Sequence, residues 1–426
     1  MSSQSDSLLL SSCDNGNPIK IDRSLLSSNK RKDITGWIEP FIKANKTQFN
    51  RLDLTTSVSL EGTPHIELAP GNRIGAIPLL SPATRRVITG LLIKPRFQWA
   101  SLGSVYNEIG FNVEPTIGGA PLVPGSAREV PPWIIAGPVI RKIEGLLKHL
   151  KRGFAEVVEI RNSPRGQIDW NNWTISNVPS GNWAKFTCRY SEPTYDPDIM
   201  AYIRWTLKQL YASLVVVSDD AIGDFLLQKV SYLQQIVGNG RESRLPSTWP
   251  STESSFVSDA YEAMEWVAEE RGLGGVSILD GLAWDVNIEK IWEAWVVAYF
   301  RKLAPRLGYK SIQEGLSRKI NWQGIKSMGH LVPDGAFQKK DEVIWIDAKY
   351  KRHLELLKRY GWNGISDYIR NAHRSDIHQA LAYANLNPVD TVSSILVFPT
   401  YQGSSDQRFA SAVFTHGNRK VKLILG

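Results

Sequence analysis

Two cysteines, Cys13 and Cys188, are all that the chain contains. That scarcity excludes a disulfide framework and a cysteine-ligated zinc site, and it fits a reducing, cytoplasmic setting. Long apolar runs are missing too. The best candidates, such as "LYASLVVV" from Leu210, are less than half as long as a membrane-spanning helix. An "LLL" run near the N-terminus has no basic segment before it and no long apolar stretch around it, so neither a secretory signal nor a membrane anchor is expected. The phosphate-binding pattern G-x-x-x-x-G-K-[ST] does not occur, which excludes a P-loop motor in this chain. No internal repeat is visible.

What is present is a chain of 426 residues, long enough for two or three domains with real cores. The net charge of +8 favours nucleic acid as a partner, because Lys and Arg displace counterions from phosphates. The excess is concentrated from Arg141 to Arg165 and from Lys339 to Arg374. The 15 tryptophans are read chiefly as core aromatics.

The pattern divides the chain into four parts and predicts a multi-domain α/β protein. Residues 1–34 are Ser-rich and aperiodic, as in a disordered tail. Residues 35–152 are dense in Pro and Gly between short apolar runs, which predicts a β-rich N-terminal domain closed by a basic amphipathic helix. This part is the candidate for partner docking. Residues 153–280 read as a helical/β middle region: strands at "FAEVVEI", "GQIDWNNW" and "AKFTCRY", then helices from Ile199 and Ile222. Residues 281–426 open with the helix "NIEKIWEAWVVAYF" and then alternate strands and helices, as an α/β domain does.

The chemistry concentrates in "HLVPDGAFQKKDEVIWIDAKYK", His330–Lys351. Along "EVIWIDAKYK" the period of two puts Val343, Trp345, Asp347 and Lys349 on one face, with Ile344, Ile346 and Ala348 on the other. A hairpin with a tight turn at Lys340–Asp341 would set Asp334 opposite Asp347, with Cβ atoms roughly 4.5–5.5 Å apart. A slip of one residue would destroy that pairing. Facing carboxylates repel unless a cation lies between them, and Mg²⁺ favours one or two carboxylates plus retained water. An adjacent lysine can orient the attacking water and neutralise developing charge. Taken singly, Pro-Asp-Gly is a common turn and Asp-x-Lys a common solvated face; the combination inside an apolar strand is what points to a site.

Pro-Asp followed by Asp-Ala-Lys resembles the signature of PD-(D/E)XK nucleases. The resemblance implies a C-terminal restriction-endonuclease-like α/β domain in which Asp334 and Asp347 bind Mg²⁺, with Mn²⁺ as the alternative ion, and Lys349 assists the water. Glu293, in "IWEAWV", is similar to the glutamate that the superfamily adds on a preceding helix, which makes it a third metal ligand. Gln379 and Tyr383 in "SDIHQALAYANL" resemble the Gln-x-x-x-Tyr of RecB- and Cas4-like nucleases, one turn apart on a helix that Ser375 would cap. Gln379 is then expected in the catalytic group, and Tyr383, Lys351 and Arg352 at the DNA.

From about residue 160 to 400 the order of segments is similar to the nuclease subunit of McrBC-type modification-dependent restriction systems. That likeness implies an endonuclease that cuts double-stranded DNA for antiviral defence, together with a separate GTP-hydrolysing AAA+ (McrB-like) oligomer. A stand-alone exonuclease or repair nuclease, and a catalytically silent activator of an AAA+ partner, are the alternative readings.

Overall fold

A short strand near the N-terminus, β1 (Leu10–Cys13), runs parallel to β6 (Val87–Lys94), pairing Leu10 with Leu91 and Cys13 with Lys94. The computed structural model describes residues 9–26, 35–117, 131–215, 221–244, 255–268, 283–312, 318–319, 330–386, 389–399, 410–416 and 419–426. The chain forms two compact units, Met1–Glu129 with Ile278–Gly426, and Val130–Ser277. The middle of the sequence is therefore an insertion, and the first and last thirds make one body.

In the first unit, β2 (Ile19–Ile21), β3 (Thr55–Ser59) and β4 (His65–Ala69) form a three-stranded sheet. A second sheet joins β1, β5 (Arg73–Leu80), β6 and β7 (Thr116–Ile117) with a strand from far downstream, β11 (Trp284–Asn287). β11 lies against Gly75, where a Cβ would come within 2.1 Å of the Trp284 carbonyl oxygen, so only glycine admits so close a strand. Asp285 is 2% exposed and paired with both Arg51 and Arg73, which fixes β11 electrostatically as well.

Two expectations are corrected here. Residues 10–26 are not a disordered tail: β1 and β2 bury Ile21 and satisfy their backbone groups in two sheets. The β-rich segment after Gly36 also holds helices the pattern did not predict: α1 (Ile38–Arg51) buries Ile38, Phe41, Ala44, Asn45 and Phe49 at helical spacing, and α2 (Trp99–Ile109) follows β6. The proline in α1, Pro40, lies in the first turn, where its missing N–H costs nothing.

The second unit packs α3 (Trp133–His149), α5 (Pro197–Val215), α6 (Ala221–Val237) and α7 (Ser255–Ala268) together through residues such as Ile143, Leu207, Leu226 and Met264. Its three-stranded sheet contains β8 (Gly153–Arg161), β9 (Gln167–Ile168) and β10 (Phe186–Thr194), in the order β8-β10-β9. Between β9 and β10 the expected strand "DWNNW" is instead helical, with α4 (Trp170–Asn172) capped by the Asp169 carboxylate. Phe154, Val158 and Ile160 alternate along β8 and are exposed, as are Trp170, Ile175 and Trp183.

The rest of the first unit is a six-stranded sheet, ordered β12 (Lys310–Ser311), β15 (Gly335–Lys339), β16 (Glu342–Ala348), β17 (Thr391–Val397), β19 (Arg419–Leu425) and β18 (Ala410–His416). The two-residue strands β13 (Arg318–Lys319) and β14 (His330–Leu331) pair with each other alongside. β16 pairs antiparallel with β15 and parallel with β17. A parallel pair needs a crossover, supplied by α9 (His353–Gly364) and α10 (Asp367–Ala384). α8 (Ile288–Leu303) covers the Phe337, Ile346 and Ala348 face through Val296, and α10 covers the Val343 and Trp345 face through Tyr383 and Ala384. β16 is thus buried on both sides, as parallel strands are. Burying a side chain the size of Trp345 contributes about 3 kcal/mol. Among the described residues no helix is long and apolar enough to cross a membrane.

Candidate active site

The hairpin register meets the expectation: Gln338 pairs with Val343 and Gly335 with Ile346. Lys340 takes the positive φ of 50° in the turn. Pro333, which has no N–H to donate, interrupts the strand between β14 and β15, and Asp334 occupies the next position. Asp334 therefore continues the register opposite Asp347. With β15 ended, the N–H of Ala348 has no carbonyl to meet on that side, and it donates to Asp334 Oδ2 at 2.7 Å. On the other side the N–H of Lys349 donates to the Val397 carbonyl of β17 at 2.8 Å, so the end of β16 is held from both edges.

Asp347 is 4% exposed. Lys349 Nζ lies 2.8 Å from its Oδ2, close enough for an ion pair but outside hydrogen-bond geometry, which leaves that buried oxygen without a hydrogen bond. The same ammonium donates to Gln379 Oε1 at 2.9 Å. Gln379 Nε2 donates to the Tyr383 hydroxyl, which in turn donates to the Val332 carbonyl at 3.1 Å. The chain of contacts runs Asp347, Lys349, Gln379, Tyr383 and back to the residue before Pro333.

Burial pushes Asp334 up to about 7; the Ala348 N–H opposes the shift, and the charges of Asp347 and Glu293 add to it. Asp347 is also raised, by burial first, against the pull of Lys349. Glu293 is raised by burial and by the nearby Glu289 and Asp347. Three carboxyl groups are thus held above their ordinary range, two of them facing each other across one hairpin.

The donor set fits a hydrated divalent cation. Asp347, with Lys349 at its Oδ2, and the Asp334 carboxylate are electrostatically coupled, and the charge they share is the kind that Mg²⁺ neutralises while keeping most of its water. Among the described residues no group of three or more His, Cys, Asp or Glu side chains is placed to hold a metal ion. Glu293, on α8, lies close enough for its charge to act on Asp334 and to feel Asp347.

The structure bears on four further expectations. Tyr383 is 2% exposed and its ring packs with Trp345 and Val392, so it cannot stack on DNA; its hydroxyl holds Gln379. Lys351 does not stand free for phosphate, because its Nζ donates to Asp376 Oδ1 at 2.6 Å. Arg352 pairs with Glu355 one turn along α9. Ser375 does not cap a helix either. α10 starts two turns earlier, with Ser366 Oγ accepting from the Ile369 N–H, which places Ser375 mid-helix.

Sequence reasoning passed over Asp376. It is 3% exposed and lies three residues before Gln379, so helical spacing from Gln379 would have put it on the same face. Burial would push its carboxyl up, but His353 and Lys351 outweigh that and hold it below the usual carboxylate range. Also unforeseen is the clamp on Tyr350, whose hydroxyl donates to the buried Asp14 at 2.8 Å while the Arg96 guanidinium lies 4.2 Å over its ring.

No family model and no curated relative matches the chain. Among solved structures it is similar to a refined half-complex from the tetradecameric assembly of Thermococcus gammatolerans McrB AAA+ hexamers with bound McrC. That match covers 98% of this chain and 94% of the other at 14% identity, with a TM-score of 0.38. It is also similar to the cryo-EM structure of the Thermococcus gammatolerans McrBC complex, over 70% of this chain and 88% of the other, at 12% identity and a TM-score of 0.26.

Proposed function

We propose that the protein is a Mg²⁺-dependent DNA endonuclease subunit that hydrolyses phosphodiester bonds together with a separate AAA+ NTPase. One observation carries the reading: Asp334, Asp347 and Lys349 converge at the end of β16, with Gln379 on the ammonium. Asp334 and Asp347 would hold the ion, which when bound supplies Lewis-acid polarisation of the phosphodiester and acidifies water. Lys349 would orient the attacking water and offset charge on the phosphorus oxygens, with Gln379 fixing its direction. Tyr383 keeps Gln379 in place from within the core. The excess of Lys and Arg supports DNA as the substrate.

The partner is supported by the order of segments in the sequence, which resembles the nuclease subunit of McrBC-type systems. The exposed face of β8, with Phe154, Val158 and Ile160 beside the Glu156–Arg189 ion pair, is a mixed apolar and charged surface that would suit partner docking. The test is cleavage of supercoiled double-stranded DNA by the purified chain with Mg²⁺, with and without the partner and its nucleoside triphosphate. Nicking or cutting that needs the partner and is lost in Asp347→Ala supports the reading. Digestion from free ends without any nucleotide supports the exonuclease instead, and stimulation of the partner without cutting supports a silent activator.

A further inference from the structure

Two lysines follow Asp347 at intervals of two, and both ammonium groups turn toward α10. Lys349 meets Gln379, and Lys351 meets Asp376 one helical turn before it. Each lysine has four rotatable bonds and a compact charge, so either could reach a nearby carboxylate. Asp347 lies close enough to feel the Lys351 charge, and among the described residues its buried Oδ2 has no polar contact other than Lys349. Lys349 already stands 2.8 Å from it. A second ammonium there would neutralise the charge on which a divalent cation depends.

We propose that Asp376 is a positioning residue that holds Lys351 out of contact with the Asp334–Asp347 pair, leaving that pair with a single ammonium in contact and enough negative charge for a divalent cation. The geometry is specific. Asp376 Oδ1 takes Lys351 at 2.6 Å, while Oδ2 faces His353 Nδ1 at 3.6 Å, beyond hydrogen-bond range. Lys351 is thus the ammonium in direct contact with Asp376, with His353 beside its other oxygen. The short bend in which the Lys351 N–H donates to the Lys349 carbonyl at 3.0 Å ends the extended backbone and sends the two stems to successive turns of α10. Asp376 is 3% exposed and the Lys351 side chain 33%, so the acid is fixed in the core and the base is the mobile partner. Removing the acid's charge releases the base.

This inference rests on the metal-binding reading of Asp334 and Asp347, and the experiment separates the two. Mn²⁺ binding to the full chain is measured by calorimetry for wild type, Asp376→Asn, Asp376→Asn/Lys351→Met and Lys351→Gln. One extra positive charge within several ångströms of a dication weakens its binding about tenfold or more, even in a polar environment. Asp376→Asn is therefore expected to lose at least that much affinity, and the double variant to return to within about twofold of wild type by the same charge arithmetic. Lys351→Gln is expected to bind at least as tightly as wild type. A merely structural role for Asp376 would not be rescued by deleting its partner.

Wild-type affinity in Asp376→Asn, or a double variant as weak as the single one, overturns the inference. If Asp376→Asn does not fold, Lys351→Gln decides: a tenfold loss there means that Lys351 itself aids cation binding, and the inference fails. A wild-type chain that binds neither Mn²⁺ nor Mg²⁺ overturns the metal reading itself.

Discussion

The carboxylate of Asp334 accepts the main-chain N–H of Ala348 across the hairpin at 2.7 Å. A side chain thus stands in for a strand carbonyl beyond the start of β15, and it holds one acid of the site in register with the other. The oxygen used for the ladder fixes the orientation of the carboxyl, and the rest of the group faces Asp347. Fold and site share one interaction here, so the effects of substitution must be separated by choosing variants that keep the hydrogen bond.

Asp347→Asn and Lys349→Met are expected to lower DNA cleavage at least about a hundredfold, the scale seen when a charge-stabilising group is removed from a catalytic site. Circular dichroism and partner binding should be unchanged. Cleavage within a fewfold of wild type in both variants would remove the pair from the chemistry.

The Asp334 carboxyl is raised to about 7, against an ordinary value of 3.8. Between those two pH values the folded, metal-free protein binds more protons here than the unfolded chain does. This group's contribution to stability is therefore largest at acid pH and is lost as pH rises toward 7. Asp334→Asn, which keeps an acceptor for Ala348, should raise the melting temperature of the metal-free protein at pH 8 and leave it nearly unchanged near pH 4. Mg²⁺ affinity of the wild type should fall as pH drops below about 7, since the ion competes with that proton. Scanning calorimetry across pH, with and without Mg²⁺, checks both.

Tyr383→Phe deletes the hydroxyl between Gln379 and the Val332 carbonyl while keeping the buried ring. Leaving partners unsatisfied costs about 1–2 kcal/mol of stability. Because Lys349 then loses a fixed neighbour, kcat should drop while KM for DNA changes little. A change confined to KM would point to a DNA contact instead.

Val158→Asp and Ile160→Asp alter exposed positions of β8. Each should leave stability within about 0.5 kcal/mol, as surface changes do. Each should also abolish stimulation of cleavage by the partner NTPase. Intact stimulation would move the docking surface elsewhere.

Asp285→Asn leaves Arg51 and Arg73 facing a neutral group in the sheet that β11 completes. Breaking a buried ion pair from one side costs about 3 kcal/mol. Thermal unfolding should show the loss, and the β11 amides should exchange faster with deuterium than in wild type.

The hairpin was legible because everything that defines it is local. Asp334 and Asp347 are separated by a two-residue turn and two short strands, and a period of two settles which side chains share a face. The same holds for α8, whose cap Asn287 and apolar stripe are contiguous in sequence. α1 was also readable, since Ile38, Phe41, Ala44 and Phe49 recur at helical spacing, but the neighbouring prolines and glycines drew the reading toward strands.

By itself, the sequence determined the register of β15 and β16, the paired acids and the lysine beside them, and the Gln379–Tyr383 face of α10, because turn chemistry and side-chain period act over a few residues. Only the tertiary structure decided that Asp376 takes Lys351, that Tyr383 is buried, and that Asp14 reaches Tyr350. Those pairings join segments whose local patterns carry no record of each other. They arise from burial, where a charged or polar group must find its partner among whatever the packed elements bring near.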